Sequence, residues 1–286
     1  MQIARIAAIV AVAWLFYGPI PVSASVLNMG DSFAVLAGST VTNTGSSTVN
    51  GDIGVWPGSS ITGYGSITHT GVVHQTDTIA QFAQADVTTA YNGLEAMSFT
   101  SVLSGDLGGL TLTSGVYKYS SSAQLTGTLL LDAENNNGAY WVFQIGTTLT
   151  TASGAAIQVI NVGSNQGSDD GVFWQIGSSA TLGTGTAFEG NILADQSITL
   201  NTGASVLNGR VLAMNGAVTM DGNTVSNVCP APNNGPGFNG GLYFDSLGNI
   251  QPLGPQNPST VPEPASMAIL TLGLVGLGYR KKRLQK

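Results

Sequence analysis

The sequence predicts an all-β protein with one long helix, its short strands stacked as successive coils of a solenoid. Three observations predict it: a composition of small, uncharged and β-branched residues, a strand-sized motif that recurs along the chain, and one stretch whose apolar spacing turns helical. Of 286 residues, 39 are Gly and only 8% are charged, against about a quarter in ordinary soluble proteins. With 43% apolar residues, the chain is too hydrophobic and too weakly charged for a disordered segment. Its uncharged, β-branched content suits strands better than helices.

The recurring motif is an apolar residue, a threonine, a few variable residues and a glycine. It appears as L-T-L-T-S-G at 110–115, L-T-T-A-S-G at 149–154, A-T-L-G-T-G at 180–185 and I-T-L-N-T-G at 198–203. V-T-M-D-G at 218–222 is a shortened copy, and V-T-N-T-G at 41–45, I-T-G-Y-G at 61–65 and I-T-H-T-G at 67–71 are kindred versions. Thr111, Thr150, Thr181, Thr199 and Thr219 are separated by 39, 31, 18 and 20 residues. The last two gaps define a coil of about nineteen residues. The first gap then equals two coils, and the second is one coil plus an insertion, the polar loop 161–170.

Alternation orients each copy. Side chains of a strand point to opposite faces, so Leu112, Leu182, Ile198, Leu200, Val218 and Met220 face inward. A strand this short cannot bury its apolar side alone, and stacking the copies makes a continuous core. Thr150, Thr181, Thr199 and Thr219 then form one outward ladder with steps of about 4.7 Å. Ser153, Thr184 and Thr202, three residues later in the motif, form a second column. From Thr76 to Ala96 the period changes: Ile79, Ala83, Val87, Ala90 and Leu94 recur at three to four residues, which predicts a helix lying against one side of the stack.

Both ends carry targeting signals. Residues 1–24 read as a secretory signal peptide, with Arg5, an apolar run from Ile6 to Tyr17, and Val22-Ser23-Ala24 at the cleavage site. The folded domain is expected over 25–229. Six of the eleven prolines lie in 230–260, a composition that extends a chain and resists packing, so this stretch reads as a linker. The tail 261–286 runs from V-P-E-P-A-S through the apolar stretch 267–279 to Arg280-Lys281-Lys282-Arg283. It resembles the PEP-CTERM sorting signal. That resemblance implies export, a transient inner-membrane anchor at the short transmembrane segment 267–279, processing by an exosortase-type enzyme, and a cell-surface or extracellular destination.

Charge excludes one class of partner. Between residues 25 and 279 the basic residues are Lys118 and Arg210, and all fifteen acidic residues lie in that span. An acidic body cannot neutralise phosphates and release their counterions, so no nucleic-acid partner is expected. Cys229 is the single cysteine, which rules out an intrachain disulfide, and it reads as an incidental thiol. His69, His74 and Asp77 are too few and too loosely spaced for a zinc site and read as surface or loop residues. Asp169-Asp170 reads as a solvated turn. Glu189 and Asp195 have the residue types of a glycosidase pair, with nothing to place them in one cleft. No motif for a cofactor or a metal appears, and catalytic residues are expected to be absent.

Longer stretches carry a family resemblance. V-L-A-G-S-T-V-T-N-T-G-S-S-T-V-N-G-D-I-G-V-W-P-G at 35–58, D-L-G-G-L-T-L-T-S-G-V-Y at 106–117 and F-E-G-N-I-L-A-D-Q-S-I-T-L-N-T-G-A-S-V-L-N-G-R-V-L-A at 188–213 resemble the microbial ice-binding protein family. The resemblance implies a right-handed, discontinuous β-solenoid of triangular cross-section with an α-helix packed alongside. It also implies adsorption to ice crystal surfaces without catalysis or cofactor. Some relatives carry a T-A/G-x-T/N element on consecutive coils. Its counterparts here, T-A-S-G at 151–154, T-G-T-A at 184–187 and T-G-A-S at 202–205, end in other residues and add Thr186 and Ser205 to the candidate ice-binding set. Threonine offers a methyl and a hydroxyl on a stiff stem, which suits a flat, regular face. It is also favoured in any strand, so a merely solvated sheet is the alternative. The competing function is a structural or adhesive matrix protein contacting extracellular polysaccharide through exposed aromatics, with Tyr64, Trp56 and Trp141 as candidates, although the apolar neighbours of Trp141 in Y-W-V-F favour its burial.

The targeting signals make a direct prediction. Protein released from the cell surface should lack residues 1–24 and the tail beyond the Pro-Glu-Pro motif. Intact-mass measurement checks this, and a mass that retains Arg280 to Lys286 counts against sorting-coupled cleavage.

Overall fold

The computed structural model describes residues 25–228 and 237–253. Among them, most of the chain winds through three parallel sheets in turn, of nine, seven and eight strands. One circuit is Tyr140–Ile145, Leu149–Thr151 and Ala156–Ile160, and the next is Gly171–Ile176, Ala180–Leu182 and Ala187–Glu189. Each strand pairs with its counterpart one circuit away, Phe143 with Trp174, Thr150 with Thr181, Ala156 with Ala187. The loop 161–170 falls between Ala156–Ile160 and Gly171–Ile176, which accounts for the 31-residue gap.

The stacking order is not the chain order. The N-terminal circuit, Phe33–Ala37, Thr40–Thr44 and Ser47–Asn50, lies on the last one, Val211–Ala213, Val218–Asp221 and Thr224–Ser226. The registers Val35 to Val211, Thr42 to Thr219 and Thr48 to Thr224 fix that junction. As a result Val73–Gln75 forms one edge of the nine-stranded sheet and Ser101–Val102 the other. The helix α1, Thr78–Ala96, connects these two edges. Nineteen residues rise about 28 Å in a helix, most of the roughly 38 Å that eight inter-strand steps require.

Helix α1 packs on the outer face of the nine-stranded sheet. Ala83, Val87, Ala90 and Leu94 meet Leu36, Val142, Phe173, Leu193 and Leu212 in one apolar layer. That sheet is therefore buried on both faces, which is why Trp141 to Ile145 and Val172 to Ile176 lack alternation. Asp77 caps the helix by accepting the Ala80 amide at 2.8 Å. Gln84 Nε2 donates to the carbonyls of Ala213 and Met214, and Gln144 Nε2 to those of Leu94 and Met97. Ile79, expected inward, is 41% exposed, and Ala80 takes its place in the core. Inside the coil, Tyr117, Phe143 and Trp174 stack at centroid distances of 5.7 and 3.9 Å.

Two expectations change. The copy at 110–115 is not on the same sheet as the others. Thr111 pairs with Leu130 in the eight-stranded sheet, Leu112 is only partly buried, and Gln124 occupies the position before Thr150. The proposed linker is partly folded: Leu242–Phe244 and Ile250–Pro252 form an antiparallel hairpin, and Phe238, Leu242 and Ile250 are buried. Proline counting overlooked these apolar residues, of which Ile250 comes within 2.8 Å of where a Cβ on Gly93 would lie. The apolar stretch 267–279 and the signal peptide lie outside the described residues. Within the described ones no helix is long and apolar enough to cross a membrane.

One buried cation joins the chain's distant parts. Arg210 is 1% exposed. Its Nε and Nη2 donate to the Asp31 carbonyl at 3.0 and 2.9 Å, and Nη1 donates to Asn191 Oδ1 at 2.8 Å. The same carbonyl accepts Asn227 Nδ2, and Asp31 Oδ1 accepts Asn239 Nδ2. Removing one member of such a buried network leaves the others unpaired, so Arg210→Met should lower unfolding free energy by about 3 kcal/mol. Lys118→Met, at a cation that lies over the Phe99 ring, should change it by about 0.5 kcal/mol. Urea unfolding of both variants checks the contrast, and equal effects would deny the junction its role.

Candidate binding face

The seven-stranded sheet has one face in the core and one in solvent. Its strands run in the spatial order Ala123–Leu125, Leu149–Thr151, Ala180–Leu182, Ile198–Leu200, Val218–Asp221, Thr40–Thr44, Ser60–Thr62. Leu149, Leu182, Ile198, Leu200, Val218 and Met220 point inward and are at most 1% exposed. The central outward residues are in register from coil to coil: Gln124, Thr150, Thr181, Thr199, Thr219, Thr42 and Thr62. Period-two alternation and identical register place six threonines in one line.

A second column lies two residues before each of the six threonines, at the strand start or just ahead of it, and holds Thr148, Ser179, Ser197, Ala217, Thr40 and Ser60. Thr40 is in register with Ser60. Ser179 Oγ accepts the Ser197 amide at 3.3 Å and Ser197 Oγ accepts the Ala217 amide at 3.2 Å, which fixes those rotamers. Neither column contains a charged side chain.

Ser153, Thr184 and Thr202 are exposed but sit in the turns that leave this sheet. Their turns are joined by hydrogen bonds from the Gly154 amide to the Thr184 carbonyl and from the Gly185 amide to the Thr202 carbonyl. Thr186 is wholly buried, its Oγ1 2.7 Å from Thr151 Oγ1, so it cannot meet an external surface. Ser205 belongs to the eight-stranded sheet, between Ala187 and Thr224, because the turn at 201–204 has already moved the chain to the next side. Thr42 and Thr62 were missed as members of the ladder. Their signal was present in the kindred copies at 41–45 and 61–65, but chain order hid their position beyond Thr219.

The eight-stranded sheet is less regular outside. A row of small residues includes Thr48, Thr224, Ser205, Ala187 and Ala156. The neighbouring row mixes Leu207, Glu189, Gln158 and Leu130, so that side presents no uniform surface.

Residues 35–226 match the family model described as Ice-binding-like, and residues 260–283 match the PEP-CTERM protein-sorting motif. The chain belongs to the ice-binding-like family. An ice-binding protein of Nostoc sp. (strain HG1) is 49% identical, with 92% of this chain and 89% of that protein covered. One of Leucosporidium sp. (strain AY30) is 34% identical, over 72% of this chain and 85% of that one. Among solved structures, an ice binding protein from an Antarctic biological consortium superposes with a TM-score of 0.67 at 42% identity, covering 74% of this chain and 95% of that one. One from Antarctomyces psychrotrophicus gives 0.66 at 40% identity, covering 70% and 96%. The relatives named are ice-binding proteins, and the fold they share with this chain is mostly β, with parallel sheets and a helix.

The remaining polar candidates of this ice-binding-like domain have structural partners. His74, expected at the surface, is 7% exposed and holds Asp77, the helix cap, at 2.7 Å. The Ala80 amide and then the His74 ring hold the Asp77 carboxyl below its usual range. His69 contacts Tyr64 Oη at 2.6 Å and the Gly71 carbonyl at 2.8 Å. Among the described residues no group of His, Cys, Asp and Glu could hold a metal ion, and Cys229 lies outside them. Glu189 and Asp195 flank opposite ends of the strand Asn191–Ala194, so they do not form a pair. Trp141 is buried with Nε1 donating to the Leu112 carbonyl, Trp56 is half-buried, and Tyr64 is exposed.

Asp170 corrects the expectation of a solvated turn. It is wholly buried; Oδ1 accepts the Ala139 amide at 2.9 Å and Oδ2 has no hydrogen-bond partner. Burial pushes its carboxyl from 3.8 up to about 6 against the pull of the Ala139 and Gly138 amides. Because the folded value is raised, its contribution to stability is complete below pH 3.8 and is lost as pH rises through about 6. The loss is on the order of 3 kcal/mol. Asp170→Asn should therefore raise stability at neutral pH and flatten its pH dependence over that range. Glu189, which burial raises to about 7, leaves a residual slope. Urea unfolding at a series of pH values checks this, and a slope unchanged in Asp170→Asn would refute it.

Proposed function

We propose that this protein adsorbs to ice through the outward face of its seven-stranded sheet, as an exported antifreeze or recrystallisation-inhibiting protein. The observation that carries the reading is the line of six threonines in register, flanked by a column of serine, threonine and alanine without charge. Strands repeat along such a stack at about 4.8 Å, a spacing near that of oxygen rows in ice. The inner side of the same sheet is closely packed, so the outer side chains are held in fixed positions. Adsorption by many weak contacts rewards such preorganisation, since little freedom remains to be lost. No catalytic group is required. The names of the relatives support the same activity.

The architecture we infer is a right-handed β-solenoid of triangular cross-section, which three sheets visited in turn support. For the full chain, we infer removal of the signal peptide 1–24, a folded domain extended by the hairpin at 242–252, and transient anchoring at 267–279. The match to the sorting motif supports cleavage there by an exosortase-type enzyme and display at the cell surface or beyond.

The test is a pair of bulky substitutions. Thr199→Tyr, at the centre of the ladder, should hold the lattice away from neighbouring rows and sharply reduce thermal hysteresis. Thr48→Tyr, on the eight-stranded sheet, should leave hysteresis near that of the unaltered protein. Both side chains point to solvent, so stability should change by only about 0.5 kcal/mol. Hysteresis that survives Thr199→Tyr would move the active surface to another side.

A further inference from the structure

Asp221 interrupts the regular outer surface of the seven-stranded sheet. It follows buried Met220 at the end of Val218–Asp221, so alternation brings its carboxylate out on the same side as Thr219. It is in register with Thr44 of the N-terminal circuit. Oδ1 accepts Thr44 Oγ1 at 3.1 Å, and Oδ2 accepts Thr202 Oγ1 from the circuit on the other side. The turn row Ser153, Thr184, Thr202 therefore runs into a carboxylate: the Gly203 amide donates to the Asp221 carbonyl, as the Gly185 amide does to that of Thr202. One more step along the same ladder, the Gly222 amide donates to the Thr44 carbonyl. Without Asp221 this row would continue from Ser153 to Thr44 as hydroxyls.

We propose that Asp221 is the residue that sets the width of the adsorbing face, withholding the turn row as a third column. This rests on the seven-stranded sheet being the adsorbing face. Two physical effects act together. An ionised carboxylate holds its own water strongly, in an arrangement set by the charge and not by a crystal lattice. The two threonine hydroxyls beside it are directed at the carboxylate and no longer point their protons outward. The basic side chains of the described domain lie elsewhere, Arg210 against Asp31 and Lys118 over Phe99. The aspartate has a counterpart role in the fold. By linking Thr202, Val218–Asp221 and Thr44 it ties the last circuit to the first, at the junction between distant parts of the chain.

The experiment measures thermal hysteresis of the full chain in four sequences: unaltered, Asp221→Thr, Asp221→Asn and Thr199→Tyr, each checked for native circular dichroism. Asp221→Thr restores a hydroxyl to the row and should raise hysteresis about two-fold by adding a column of weak contacts. Asp221→Asn keeps the shape and removes the charge, and should raise it by less. It also carries the test if Asp221→Thr does not fold. Hysteresis at or below the unaltered level in the folded aspartate variants, with Thr199→Tyr still inactivating, would overturn the proposal and leave the adsorbing face in place. Hysteresis unaffected by Thr199→Tyr would overturn both.

Discussion

The parallel hydrogen-bond ladder between successive circuits is the constraint on which the rest depends. A strand of three residues has no stability of its own, and its backbone groups find partners on the circuits above and below. That requirement forces one register on every circuit, as in the run Thr150, Thr181, Thr199, Thr219, Thr42. A residue type placed at one phase of the coil is thereby copied into a straight line. The regularity of the threonine line follows from the backbone pairing and needs no separate device.

The ladder also creates two problems that the fold resolves with particular residues. The nine-stranded sheet has an apolar outer face, and helix α1 covers it, fastened by Gln84 onto the carbonyls of Ala213 and Met214 and by Gln144 onto its own C-terminal carbonyls. The first circuit must dock on the last one, and Arg210, Asp31, Asn227 and Asp221 make that junction from polar groups. Only the other two sheets keep a solvent-facing side, and only one of those is uniform.

Charge is distributed to match. The two columns of the seven-stranded sheet are free of ionisable groups, whereas the buried Asp170 and the half-buried Glu189 lie elsewhere on the coil. Their raised carboxyls weaken the fold near neutral pH, a cost that the extensive ladder and the aromatic stack of Tyr117, Phe143 and Trp174 can offset. A rigid body with a nearly neutral face is what adsorption to an ordered water surface asks for.

Much of this was legible in the residues alone. The repeat, the inward and outward assignment of Leu182, Thr199 and Leu200 and the helix near 76–96 follow from local periodicity, and the family resemblance rests on the longer runs at 35–58, 106–117 and 188–213. The assignment of strands to sides was not legible. L-T-L-T-S-G at 110–115 and L-T-T-A-S-G at 149–154 have the same local pattern yet lie on different sheets, since two half-buried sheets ask the same thing of a short strand. The docking of the first circuit on the last brought Thr42 and Thr62 into the ladder, and long-range register alone decides that. Burial of Thr186, Asp170 and the hairpin at 242–252 likewise depends on what packs over them, which no short window of sequence contains. The sequence by itself determined the coil, its polarity and its chemistry; the tertiary structure decided which threonines share a line, because that depends on pairing between residues up to 177 positions apart.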